Sequence, residues 1–130
     1  MVILFDQSNM PEDIFDLIFA TDQQGIVGRE LFNLLKSKGG EVNKTEMSVL
    51  ATQLHDGVYE CTLISGPYKG KKVKLSYNKR QFYDRILTPM RGMGLVDYDI
   101  YRKVYKLSDK FNKNMTRIGL MWVRNLSKQI

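Results

Sequence analysis

Apolar residues recur at helical and strand-like spacing in a fixed order along the chain. Residues repeating at intervals of three and four predict helices, and runs of β-branched and aromatic residues between turn formers predict strands. The helical segments are a short one after Pro11 and the ranges 26–38, 43–55, 78–88 and 109–130. The strand segments are 58–64, 73–75, 95–96 and 104–107. This order predicts an α+β fold.

The first helical segment is predicted to start with an N-cap at Ser8 or Asn9, with Pro11 in its first turn. The residues that follow are apolar almost all round: Ile14, Phe15, Leu17, Ile18 and Phe19. Such a helix is buried either in the core of its own domain or in a subunit interface, and both remain open. Gln23-Gln24-Gly25 is expected to break the segment.

Glycine and capping signals predict the next boundaries. Gly39-Gly40 is expected to end the second helix. Asn43 with Glu46 three residues later forms a variant of the capping box and is expected to start the third. His55, near the end of that helix, is expected to be a surface or capping histidine, because no nucleophile pairs with it.

The fourth helical segment is basic and is predicted to start at Asn78. Pro89 removes one helical hydrogen bond and disfavours α geometry at Thr88. We therefore expect the helix to end or kink around Thr88. Gly92 and Gly94 can adopt positive φ, which lets the backbone leave the helix. A second hairpin, formed by the strand segments 95–96 and 104–107, is expected to follow.

The last helical segment, 109–130, is amphipathic. Five cations fall on one face: Lys110, Lys113, Arg117, Arg124 and Lys128. Five large apolar residues fall on the opposite face: Phe111, Met115, Ile118, Trp122 and Leu126. We expect this apolar face to pack on the domain. Leu120 and Met121 lie outside that face and remain for contact with a second copy, so we expect a homodimer through the terminal helices. A dimer helix alone and a helix on an anionic membrane surface are the alternatives.

The charge is strongly segregated along the chain. Residues 1–65 hold four Lys and Arg against ten Asp and Glu, whereas residues 66–130 hold sixteen against four. These halves carry −6 and +12, which give the net charge of +6. Segregation of this kind favours a basic half that faces a polyanion, with nucleic acid ahead of a membrane or an acidic protein.

The small number of cysteine and histidine residues limits the disulfides and metal sites that the chain can form. One cysteine, Cys61, cannot form an internal disulfide, which favours an intracellular location. With His55 as the only histidine, a structural zinc site lacks ligands. No apolar run is long enough to span a membrane, and Asp6 interrupts the apolar start where a signal peptide would continue. No nucleophile–base pair is visible, so we expect no enzyme, no catalytic residue, no metal and no cofactor.

Four segments in order resemble the winged helix-turn-helix family. They read ELFNLLKSKGG (30–40), NKTEMSVLATQL (43–54), SYNKRQFYDRILTPMRGMGLV (76–96) and YKLS (105–108). The first three resemble the three core helices, the third with its Gly-Leu-Val entry to the wing, and the last resembles the return strand of the wing. The small basic chain is similar in style to transcription regulators of archaea and their viruses.

The resemblance implies a winged helix-turn-helix domain over 29–108, with an inserted β-hairpin (58–75) between its second and third core helices. An N-terminal arm and helix (1–28) and a C-terminal helix (109–130) would flank it. Family analogy places the third helix in the major groove of double-stranded DNA and the wing on the flanking backbone. The DNA-binding residues implied are Asn78, Lys79, Arg80, Gln81 and Arg85 on the helix, Arg102 and Lys103 on the wing, and Lys69, Lys71 and Lys72 on the inserted hairpin.

Two other functions stay open beside transcription regulation. Some winged helices bind only proteins, and Tyr98, Tyr101 and Tyr105 would then form the contact surface. RNA binding comes third, because tyrosines and cations can stack and hold single-stranded bases, although no RNA-binding motif is present.

Overall fold

The computed structural model of the chain describes residues 6–64 and 68–128. The apolar start of the chain, the turn formers at 65–67 and the last two residues of the predicted C-terminal helix lie outside the described residues. The rest is an α+β fold, as the sequence predicts. Its described strands form one three-stranded antiparallel sheet and one separate two-stranded hairpin.

Helix α1 (Ile14–Ile18) begins later than expected. Its N-cap is Asp13, whose carboxylate accepts the backbone N–H of Phe15 at 2.8 Å. The predicted cap at Ser8 or Asn9 is wrong, because the backbone N–H groups of both residues donate to the Asp6 carboxylate in a separate turn. Two apolar residues of α1 and its end, Phe15 and Phe19, are buried in the core of this same chain.

Helix α2 (Asp22–Ser37) begins four residues before the predicted start at Ile26. Thr21 caps it by accepting the N–H of Gln24 at 3.2 Å. The predicted break at residues 23–25 is wrong. Gly25 lies inside the helix, where a Cβ would come within 3.2 Å of the Phe15 carbonyl oxygen, so this glycine permits the close approach of α1.

A short strand and a helix follow as the capping signals predict. Strand β1 (Glu41–Asn43) leads directly into helix α3 (Lys44–His55). The side-chain oxygen of Asn43 accepts the backbone N–H of Glu46 at 2.7 Å. In return, the Glu46 carboxylate accepts the backbone N–H of Asn43 at 3.2 Å. The predicted capping box is therefore confirmed.

The predicted β-hairpin within residues 58–75, which follows α3, is also confirmed. Strands β2 (Tyr59–Thr62) and β3 (Lys72–Leu75) are antiparallel, with Tyr59 opposite Leu75. Cys61 is buried, in agreement with a core role. The base of the hairpin is fixed to α3 because the Tyr77 N–H donates to the Leu54 carbonyl at 2.8 Å.

Three helical segments then run without a break. They are α4 (Lys79–Gln81), a π-helical turn (Phe82–Leu87) and α5 (Thr88–Met93), together referred to as the composite helix. Of the two expectations for Thr88, an end of the helix is wrong, and the helix changes there from π-helical to α-helical geometry. A helical proline clashes with the carbonyl four residues earlier, here that of Arg85. Arg85 lies in the wider π-helical turn, which gives that carbonyl room and lets the helix continue through Pro89.

The composite helix ends at Gly94, whose φ of 92° makes it the left-handed C-cap that the sequence predicts. Strands β4 (Val96–Asp99) and β5 (Val104–Leu107) follow as the predicted hairpin. Strand β5 also pairs with β1, so the sheet order is β1-β5-β4.

The hydrophobic core lies between the helices and this sheet. Its fully buried side chains come from α2, β1, α3, the composite helix and β4: Val27, Leu31, Leu35, Val42, Met47, Leu54, Phe82, Ile86, Met90 and Val96. The apolar side of the composite helix is thus fixed in the core, and its other side is left to solvent.

Helix α6 (Lys110–Lys128) forms over the predicted range but does not pack as expected. Only Phe111 packs against the core, and every described residue of α6 after it is exposed. The expected packing of the whole apolar face is therefore wrong. The first residues of α6 contact the domain, where the Phe111 N–H donates to the Gly94 carbonyl at 3.1 Å and the Lys110 ammonium lies 3.2 Å from the Asp97 carboxylate.

Candidate nucleic-acid interface

The first turn of the composite helix is tied firmly to α3. Asn78 caps it by accepting the Gln81 N–H at 3.1 Å. His55 accepts the backbone N–H of Lys79 on Nδ1, also at 3.1 Å. The Lys79 ammonium donates to the hydroxyl of Thr52 at 3.1 Å. Asn78 and Lys79, both predicted to bind DNA, are thus engaged in holding two helices together.

The outer side of the composite helix carries a row of polar side chains that reach solvent. They are Arg80, Gln81, Asp84, Arg85, Thr88 and Arg91. All belong to one helix that is anchored in the core by the buried side chains between them: Phe82, Ile86, Leu87 and Met90. Donors, acceptors and cations are therefore presented along a length of about 17 Å.

Charges in this row are arranged unequally. Arg80 lies 3.8 Å from the carboxylate of Asp84, one turn further on, and both are largely exposed. Arg85 and Arg91 have no acidic partner among the described residues. Arg91 sits over the ring of Tyr98 at 5.4 Å from its centroid, which links the end of the composite helix to β4.

The tip of the β4–β5 hairpin is built on Asp99. Its carboxylate accepts the N–H groups of Tyr101 and Arg102 at 3.0 and 3.1 Å, and these bonds lower the pKa of Asp99 below its ordinary value. The Arg102 guanidinium binds both carboxylate oxygens of Glu41 on β1, at 3.2 and 3.0 Å. This fork raises the pKa of Arg102. Arg102 is thus already neutralised by an acid of the same chain.

Lys103 differs from its neighbour Arg102. It adopts a φ of 55°, which turns the tip, and its side chain is exposed with no acidic partner in the described part of the chain. Its carbonyl accepts the backbone N–H of Lys44 at 3.2 Å. The hairpin tip and the start of α3 therefore bring two exposed lysines together, a pairing that the sequence did not predict.

The inserted hairpin exposes its own cations. Lys69, Lys71 and Lys72 are all exposed near its turn, and the Lys71 ammonium lies 5.2 Å from the centroid of the Tyr68 ring. No hydrogen bond or ion pair among the described residues joins these lysines to the composite helix or to the β4–β5 hairpin. The predicted residues thus form three cationic groups on three elements.

Sequence reasoning missed two residues of this surface. Thr88 and Arg91 face the groove between α5 and β4, which has a volume of about 400 Å³ and is also lined by Asp97 and Tyr98. The expected end of the helix at Thr88 hid them. Continuous helical spacing from Arg80 through Arg91, read across Pro89, is the signal that would have found them.

Among the described residues, no helix is long and apolar enough to cross a membrane. Within the same residues, no three His, Cys, Asp or Glu side chains lie close enough to hold a metal ion. Compared with protein-family models, curated proteins and solved structures, the chain has no match in any of the three. Its function is therefore argued from its own geometry.

Proposed function

We propose that this protein binds double-stranded DNA with a sequence preference and regulates transcription. The composite helix would lie in the major groove and the β4–β5 hairpin along the flanking backbone. The observation that carries the proposal is the row from Arg80 to Arg91, which is exposed on a helix whose other side is buried in the core. The proposal implies an intracellular location.

The connectivity supports a winged helix arrangement. In that arrangement a strand after the first core helix pairs with the last strand of the wing hairpin, which follows the third core helix. Here β1 follows α2 and pairs with β5, while β5 pairs with β4. The composite helix directly precedes that hairpin, so it would be the third, groove-reading helix.

The chemistry at the start of the composite helix suits base recognition. Arginine binds guanine O6 and N7 with two hydrogen bonds, and glutamine binds adenine N6 and N7 in the same way. Arg80 and Gln81 are exposed in the first turn, held in place by the caps beneath them. Asp84 sits where it orients the Arg80 guanidinium.

The other cations suit phosphate contacts. Lys103 and the adjacent Lys44 would bind the flanking strand, and Arg102 would do so only after leaving Glu41. The exposed lysines of the inserted hairpin would add attraction that does not depend on sequence. Positioning through phosphates and reading through bases would thus fall to different elements.

The alternative, a protein-interaction module built on three tyrosines, has less support. Tyr105 is buried, and Tyr98 stacks on it with 4.6 Å between ring centroids. Only Tyr101 reaches solvent fully, at 95 % exposure. A single exposed tyrosine, with Ile100 beside it, is a small surface for a protein partner.

Selection of bound duplexes from a random pool tests the proposal. We expect enrichment of a short motif, and retention of the selected duplex over double-stranded RNA and single-stranded DNA at the same salt concentration. Recovery of an unenriched pool, or equal retention of all three nucleic acids, would count against sequence-preferring duplex binding.

A further inference from the structure

Helix α6 leaves the domain with most of its apolar face uncovered. It is attached only at its start, where the Phe111 N–H donates to the Gly94 carbonyl at 3.1 Å and the Asn114 amide to the Met93 carbonyl at 3.4 Å. Beyond Asn114 every described residue of the helix is exposed. The large apolar side chains left in water are Met115 (39 %), Ile118 (52 %), Leu120 (48 %), Met121 (52 %), Trp122 (61 %), Val123 (54 %) and Leu126 (47 %).

A helix in this state gains little from its own chain. Isolated helices of up to about 15 residues are marginal in water, and helices in proteins gain most of their stability by packing an apolar face. The part of α6 beyond Asn114 projects about 20 Å. An uncovered apolar stripe on a segment of this kind marks a contact surface.

Gly119 identifies the kind of surface that covers this face. It lies in the middle of α6, and a Cβ added there would meet nothing within 4 Å. Glycine destabilises a helix interior relative to alanine, and neither crowding within the chain nor a positive φ requires it here. Gly119 lies one turn from Met115, Trp122 and Val123, so its missing side chain leaves a notch beside the apolar stripe.

We propose that α6 pairs in antiparallel orientation with α6 of a second copy of this chain, each Trp122 entering the Gly119 notch of the other copy. A two-fold axis that crosses the pair between Leu120 and Met121 sets Gly119 opposite Trp122. The same axis sets Met115 opposite Leu126. In this one register the large Trp122 side chain therefore meets the gap at Gly119, and the flexible apolar side chains of Met115 and Leu126 meet each other. Every contact occurs twice, as in other isologous interfaces.

The charges of α6 are compatible with pairing to itself. The helix contains no Asp or Glu, and its Lys and Arg residues lie on the face opposite the apolar stripe. They therefore stay in water and do not face each other across the contact. The exposed apolar side chains of two copies would bury on the order of 1,000 Å², about the minimum expected of a biological interface.

An anionic membrane surface would take up the same apolar face, with the cations toward the headgroups. That occupant does not account for Gly119, because a lipid surface adapts to a side chain and needs no notch. The self-pairing goes beyond the proposed DNA binding and does not depend on it. A dimer that does not bind DNA would refute only the DNA binding, and a monomer that binds DNA would refute only the pairing.

Sedimentation velocity and the fluorescence of Trp122 test the pairing together, since Trp122 is the only tryptophan. We expect a dimer whose Trp122 emission shifts to longer wavelength as dilution separates the copies. Gly119→Leu should give a monomer whose helix content is equal to or higher than that of the wild-type monomer at high dilution, because an unpaired helix is stabilised when its interior glycine is replaced. Trp122→Ala should weaken association by about tenfold or more.

Thr116→Leu is the matched control, because it introduces the same side chain at an exposed position of the same helix, on the side of Gly119 that faces away from Met115 and Trp122. It should leave the dimer intact. A wild-type monomer at every concentration would overturn the proposal, and so would a Gly119→Leu variant that dimerises as well as Thr116→Leu. A Trp122 emission that ignores protein concentration and shifts only with phosphatidylserine–phosphatidylcholine vesicles would overturn it in favour of the membrane surface.

Discussion

His55 Nδ1 accepts the backbone N–H of Lys79 at 3.1 Å, so the last residue of α3 caps the first turn of the composite helix. The two residues are 24 positions apart, with the whole inserted hairpin between them. This bond, together with the one from the Tyr77 N–H to the Leu54 carbonyl, holds the two helices in register across the insertion. The β2–β3 hairpin therefore does not separate α3 from the composite helix.

Replacing His55 with alanine should loosen that junction. Loss of a helix cap costs about 0.5–1 kcal/mol. We therefore expect His55→Ala to lower the unfolding free energy, measured by urea denaturation, by that amount. Because Arg80 and Gln81 lie in the capped turn, duplex affinity should fall by about two- to fivefold. Gln53→Ala, on an exposed neighbouring position of α3, should change neither quantity. Equal effects from both substitutions would show that the cap has no special role.

Arg80 and Lys71 should contribute differently to DNA binding. Arg80→Ala should cost about 1–3 kcal/mol on the preferred duplex and little on a scrambled one, since it removes a contact to a base. Lys71→Ala should weaken both duplexes alike. Lys36→Ala is a matched control, because Lys36 also lies 5.2 Å from an aromatic centroid, on α2 in the acidic half. Fluorescence anisotropy on both duplexes measures the difference, and parallel losses for Arg80 and Lys71 would refute this division of roles.

Glu41 should restrain DNA binding by holding Arg102. Because Arg102 must leave a two-point ion pair before it reaches a phosphate, Arg102→Ala should weaken binding less than Lys103→Ala does. Glu41→Gln should tighten binding, since it releases Arg102. Glu12→Gln removes the same charge at an exposed position near the N-terminus and should leave affinity nearly unchanged. An Arg102→Ala variant that loses more affinity than Lys103→Ala would mean that the ion pair opens at no cost.

Stability should decline above about pH 9 because of two side chains on β2, the buried Cys61 thiol and the half-buried Tyr59 hydroxyl. Burial first, and then the Glu30 carboxylate, raises the pKa of Cys61 from 9.0 to about 11 and that of Tyr59 from 10.0 to about 12. The folded protein keeps protons that the unfolded chain has lost, so unfolding free energy falls as pH rises through these ranges. Urea midpoints between pH 9 and 12 measure this decline. Compared with the wild type, the decline should be shallower below about pH 11 for Cys61→Ala and above about pH 10 for Tyr59→Phe.

Tyr101→Phe provides the control for this pH profile, because it removes the hydroxyl of an exposed tyrosine at the β4–β5 tip. Its profile should follow that of the wild type. A wild-type protein whose urea midpoint stays constant from pH 9 to 12 would contradict the assignment of Tyr59 and Cys61.

Local signals predicted the parts of the fold whose causes are local. The capping box of Asn43 and Glu46 and the glycine cap at Gly94 depend on residues within a few positions of each other, and each hairpin pairs strands that are consecutive in the chain. The end of the composite helix was missed because Pro89 breaks an α-helix, whereas the π-helical turn before it removes the clash. Three side chains of that turn, Phe82, Ile86 and Leu87, are buried in the core by residues distant in sequence.

Long-range pairs account for what the sequence could not show at the interface. Nothing near Arg102 in the chain indicates Glu41, which reaches it only because β1 pairs with β5. Arg29 is a similar case: it is buried between Asp13 and Asp16 of the α1 region, with 3.3 and 3.5 Å between the charged atoms. The exposure of α6 was also unpredictable, because helical spacing defines an apolar face but does not tell which molecule covers it.

The most direct test of the proposed function is the salt dependence of binding to the selected duplex. If about six phosphates are contacted by the cations of the composite helix and the two hairpins, affinity should fall by about a thousandfold between 50 and 200 mM salt. Arg85→Ala and Lys103→Ala should each reduce the slope of log affinity against log salt by about one contact. Duplex binding that is absent at 50 mM salt, or that does not change between the two concentrations, would contradict DNA binding through this surface.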